Sequence, residues 1–111
     1  MAMPADEIAE LTIMFDTVEQ ADEGGITYFR IRNARLPAGC TPDRCDLLFC
    51  PRPRDGYSSR LFFSVRPQAR RGLNWNAEVR ILNENWFAHS WNPGNQKRLA
   101  QILAAHLEAL K

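Results

Sequence analysis

The chain has 111 residues, of which 45% are hydrophobic and 24% charged, and a formal net charge of +1. That length builds one domain with a real core and excludes a second. No apolar run approaches the roughly 20 residues of a membrane helix. The first residues are acidic where a secretory signal is basic, and three cysteines at irregular spacing make a poor disulfide framework, so a cytoplasmic protein is expected.

Residues 4–14 open the chain with an ambiguous segment. Ile8, Leu11 and Phe15 fall on one side of a helix, while the run from Leu11 to Phe15 fits a strand equally well. Gly24-Gly25 predicts a turn. The β-branched and aromatic run Ile26-Thr27-Tyr28-Phe29-Arg30-Ile31-Arg32 predicts a strand, paired through that turn with the segment before it. Leu36-Pro37-Ala38-Gly39 ends it. Asp46-Leu47-Leu48-Phe49-Cys50 is short and almost continuously apolar, as a central strand covered on both faces should be. Residues 51–57, rich in Pro, Arg and Gly, break it, and Arg60-Leu61-Phe62-Phe63-Ser64-Val65 is the next strand.

Residues 68–76 read as a polar, basic loop and residues 79–82 as a last short strand. Asn92-Pro93-Gly94 stops any strand, because proline lacks the donor N–H and glycine supplies unusual dihedrals. Beyond it Leu99, Ile102, Leu103, Leu107 and Leu110 recur at helical spacing, with Lys97, Arg98, Gln101 and Glu108 off that stripe, which predicts an amphipathic C-terminal helix. The predicted architecture is α+β: a meander of about four antiparallel strands with the helix or helices on one face.

Charge is segregated along this order. Residues 1–23 hold Asp6, Glu7, Glu10, Asp16, Glu19, Asp22 and Glu23 with no Lys or Arg, whereas eleven arginines and no lysine lie between positions 30 and 80. Such a dipole either steers an oppositely charged partner or folds back on itself within the molecule, and the sequence leaves both open. Arg52, Arg54, Arg70 and Arg71 sit in segments coded as loops, where a side chain is free to meet a partner. Trp75, inside Asn74-Trp75-Asn76, is expected as an exposed aromatic anchor, and Trp86 and Trp91 as core or the cover of the sheet.

No Cys-x-x-Cys or His-x-x-His spacing is present, so neither a metal nor a cofactor is expected. His89, beside Ser90, is the residue a catalytic reading selects as general base. The structural alternative is a partly buried, hydrogen-bonded ring. His106, next to Leu107, reads as structural.

In order, these features are a strand, Leu36-Pro37-x-Gly39, a strand with Asp46-Leu47-Leu48, a Pro/Gly/Tyr loop and an aromatic strand. Trp86, His89-Ser90, Trp91-x-Pro93-Gly94 and a Leu-rich helix follow. This order resembles the ubiquitin-conjugating-enzyme superfamily, and within it the prokaryotic family E found with ubiquitin-like proteins, activating enzymes and JAB-type peptidases. The resemblance extends from about residue 12 to residue 110. It implies a four-stranded meander flanked by helices and a role in a bacterial ubiquitination-like pathway, with antiphage defence as a setting. One departure is that Tyr57 precedes Ser58 where the superfamily has Tyr-Pro.

A second departure decides function. Conjugating enzymes carry their cargo as a thioester on a cysteine between the sheet and the following helix, and residues 66–94 contain none. Cys40, Cys45 and Cys50 all lie upstream, where a strand cysteine reads as a small buried hydrophobe. The resemblance therefore implies a pseudoenzyme that binds a ubiquitin-like protein or an active conjugating or activating enzyme, with Arg52, Arg54, Arg70, Arg71 and Trp75 as the contact residues. One alternative is an enzyme of this fold using His89 or an upstream cysteine. Another is a nucleic-acid-binding module, from arginines interleaved with Tyr28, Phe29, Phe62 and Phe63, although the pI of about 7.8 lacks the basic excess such modules carry.

Overall fold

Gly24 and Gly25 both adopt positive φ, 60° and 79°, and close a two-residue turn between β1 (Val18–Glu23) and β2 (Ile26–Arg35), with Glu23 opposite Ile26. The chain continues through β3 (Arg44–Cys50), β4 (Arg60–Phe63), β5 (Trp75–Ile81) and β6 (Glu84–His89). It is preceded by α1 (Ala5–Met14) and followed by α2 (Leu99–Leu107) and one 3-10 turn (Glu108–Leu110). The structure is a computed structural model that describes residues 4–15 and 17–111; Asp16, counted above in the acidic run, lies outside them, as do the first three residues. The fold is α+β. Its single sheet among the described residues has six strands, all antiparallel, in the order β1-β2-β3-β4-β6-β5.

Three sequence expectations are corrected here. The sheet has six strands rather than four. Residues 5–14 form a helix, which settles the helix-or-strand ambiguity. The stretch read as a loop and one short strand is instead the β5–β6 hairpin, turned by Leu82 and Asn83 at φ 53° and 65°. Both central residues at positive φ make this a type I′ turn, whose twist suits a hairpin.

The sheet separates two apolar clusters because side chains alternate along each strand. On the first face Phe29, Ile31, Leu47, Phe49, Leu61 and Phe63 pack against Leu11 of α1 and Leu99 and Leu103 of α2. Both helices therefore lie on one side, as predicted. The second cluster, Tyr28, Leu48, Cys50, Phe62, Ile81, Trp86 and Ala88, contains no helical residue. Arginines cover part of it: the Arg30 guanidinium lies 5.5 Å over Trp86, and Arg54 lies 5.7 Å over Phe62 while donating to the Tyr28 hydroxyl at 2.7 Å.

Much of the acidic segment is consumed inside the molecule. Glu7 accepts the Leu99 N–H at 3.0 Å, satisfying a donor left over at the start of α2, while Asp6 and Glu10 pair with Arg98. Glu19 pairs with Arg32 across β1 and β2, and Glu23 accepts the Leu82 N–H at 3.1 Å.

Candidate functional site

The five residues expected to contact a partner do not form one patch. Arg52 and Arg54 lie between β3 and β4, and Arg54 turns onto the second face against Tyr28, Phe62 and Asp55, so it is half-buried rather than presented to solvent. Arg70, Arg71 and Trp75 belong to the segment leading into β5. Arg70 and Arg71 are exposed, but they diverge: the Arg70 side chain lies against Gly39, and Arg71 stacks 5.3 Å from the Trp91 ring.

Trp75 is corrected from exposed anchor to inward-packed ring. It is half-buried and meets Phe63 and His89 edge-on, with centroids 5.4 and 5.2 Å away. The β-strand register explains this, because Trp75 pairs with His89 and both project to the face that carries Phe63.

Beside the basic loop lies an apolar groove of about 540 Å³, lined by Met14, Phe15, Leu36, Pro37 and Leu107, with Arg35 and Arg44 among the charged residues on its wall. Arg70 lies along Gly39, two residues from groove-lining Pro37, so loop and groove are neighbours. Met14 remains exposed at the helix end.

All three thiols are buried and free. Burial pushes each pKa up, Cys45 to about 11, because a thiolate cannot be solvated there. The Cys40 Sγ donates to the Leu110 carbonyl at 3.7 Å and the Cys50 Sγ to the Arg52 carbonyl at 3.3 Å. These are packed thiols, not nucleophiles.

His89 is buried between Phe63 and Trp75, and its Nδ1 has no hydrogen-bond partner among the described residues. Burial lowers its pKa first, and the Arg60 charge adds to that. Ser90 follows on the strand and so points to the opposite face. The serine–histidine contact of this protein lies elsewhere, with Ser59 Oγ 2.8 Å from His106 Nε2 and both residues buried. His106 is held down to about 4 by burial, then by His89 and Arg60, and no carboxylate acts on it. With no acid to orient the ring and no route to solvent, the pair ties α2 to the start of β4 rather than activating the hydroxyl.

What sequence reasoning missed is the polar end of the sheet around Arg60. Arg60 is 5% exposed, donates from Nη2 to Asn76 Oδ1 and stacks 4.0 Å from the Tyr57 ring. Tyr57 accepts from Asn76 Nδ2 at 2.9 Å and also hydrogen-bonds Ser90, and these two contacts lower its pKa. The signal in the sequence was an arginine opening an otherwise apolar strand, directly after two serines.

Among the described residues no three His, Cys, Asp or Glu side chains converge to hold a metal, and no helix is long and apolar enough to cross a membrane. Comparison with protein-family models, curated proteins and solved structures returns no match.

Proposed function

We propose that this protein is a non-catalytic, ubiquitin-conjugating-enzyme-like binding domain of a bacterial ubiquitination-like pathway. It holds a ubiquitin-like protein, or the enzyme that activates or conjugates one, on its arginine-rich side. The observation that carries the reading is the state of the thiols. A thioester carrier needs an exposed thiolate, whereas Cys40, Cys45 and Cys50 are all buried with raised pKa and no cysteine follows position 50. The surface for the partner is the groove beside α1 and α2 together with the adjoining Arg35, Arg44 and Arg70. An apolar floor next to guanidinium groups suits an acidic partner that also offers an apolar side chain.

The test is incubation with activating enzyme, ATP and the cognate ubiquitin-like protein, followed by non-reducing electrophoresis and a binding titration. The expected result is non-covalent binding without a thiol-reducible band. A band that disappears in Cys40→Ala, Cys45→Ala or Cys50→Ala would overturn the reading.

A further inference from the structure

Arg60 is the buried arginine of this protein, and no carboxylate pairs with it among the described residues. The contrast with its neighbours is sharp. Arg30, partly covered, is paired with both Asp46 and Glu84, and Arg98 with both Asp6 and Glu10. A guanidinium removed from water is normally compensated by an anion, and a neutral amide oxygen with two aromatic faces is a poor replacement. Only Arg60 Nη2 has a hydrogen-bond acceptor, the Asn76 oxygen, while the buried Nε has none.

The backbone is shaped around this group. Trp75 pairs with His89 and Ala77 with Ala88, so Asn76 is the extra residue of a β-bulge. Bulges re-aim a side chain, and this one turns Asn76 onto Arg60 and Tyr57. Asn76 and Ser90 are exposed and Tyr57 half-exposed, which puts the outer wall of the cluster at the surface with the guanidinium behind it. Every polar side chain here can donate a hydrogen bond. The groups acting on Tyr57, His89 and His106 include Arg60 and no carboxylate.

We propose that Tyr57, Arg60, Asn76 and Ser90 form a binding site for a small oxyanion, a carboxylate or phosphate group that takes the place of the Asn76 oxygen on the Arg60 fork. Two parallel bonds from Nε and Nη2 match the two oxygens of such a group. The site stands apart from the partner surface proposed above, so either can fail without the other.

The experiment titrates the protein with phosphate, with acetate and with chloride at matched ionic strength. It follows the amide resonances of Asn76 and Ser90 and the side-chain Nε–H of Arg60. Saturable shifts with phosphate or acetate and none with chloride are expected, and the preferred anion identifies the source as phosphoryl or carboxylate. Asn76→Asp supplies an internal carboxylate and should abolish the response in a folded protein. Arg60→Lys keeps the charge but loses the fork and should weaken the response at least about tenfold. Absence of a saturable shift in the unmodified protein overturns the proposal, as does a response of undiminished size in Asn76→Asp.

Discussion

His106 lies on the helix side of the sheet, where burial, His89 and Arg60 together keep its ring neutral down to about pH 4. An unfolded chain protonates histidine near 6.5, so below that pH it binds a proton that the folded protein refuses. Stability should therefore fall as pH drops from about 6.5 towards 4 and stop falling through this group below that, a loss of about 3 kcal/mol. His89 is shifted in the same direction and adds to the slope. Glu84 and Asp6, held low by Arg30 and Arg98, contribute above the ordinary carboxylate range and lose that contribution only below it. The interval between about pH 6.5 and 4.5 therefore belongs to the histidines. Urea unfolding across it should show the decline, and His106→Gln should flatten most of it; an equally steep profile in that variant would mean the ring is not the source.

At the scale of elements, Leu103 tests whether the helical phase is right. It is 0% exposed among the residues of both helices, whereas Gln101, two positions earlier, faces solvent. Leu103→Ala should cost about 2–5 kcal/mol and Gln101→Ala almost nothing, measured by chemical denaturation. Equal losses would refute the assigned face. This helix was legible because its leucines recur at helical spacing after a Pro-Gly stop, and the first hairpin because two glycines mark its turn. The second hairpin was not. Its turn is Leu82-Asn83, and leucine rarely accepts positive φ, so nothing in the residue types announces a type I′ turn there. The same limit hid the polar cluster. Ser59, Arg60 and Asn76 are brought together by strand register and one bulge, and neither leaves a local mark in the sequence. Trp75 was misread for the opposite reason. Its flanking asparagines suggest a loop tip, but pairing with His89 turns the ring inward.

For the whole molecule, the net charge of +1 describes the field poorly. Asp6, Glu7, Glu10, Glu19 and Glu23 are engaged internally, as are Asp46, Glu78 and Glu84. Arg35, Arg70 and Arg71 have no carboxylate partner among the described residues, and Arg70 and Arg71 are exposed on one loop. Both readings of the charge dipole are thus realised: the acidic segment folds back, and what it leaves uncompensated is a cluster of guanidinium groups beside the groove. Unpaired surface charge accelerates encounter with an oppositely charged partner and is screened over roughly 8–10 Å at physiological salt. Reversing Arg70 and Arg71 to Glu should slow association with the ubiquitin-like partner roughly tenfold at low salt while changing dissociation little. Raising salt should slow the unmodified protein towards the rate of the variant. Neither residue has an ion pair to lose, so thermal stability should stay close to that of the unmodified chain. Stopped-flow association at two salt concentrations separates the outcomes. Identical rates for both proteins at low salt would remove this loop from the partner surface.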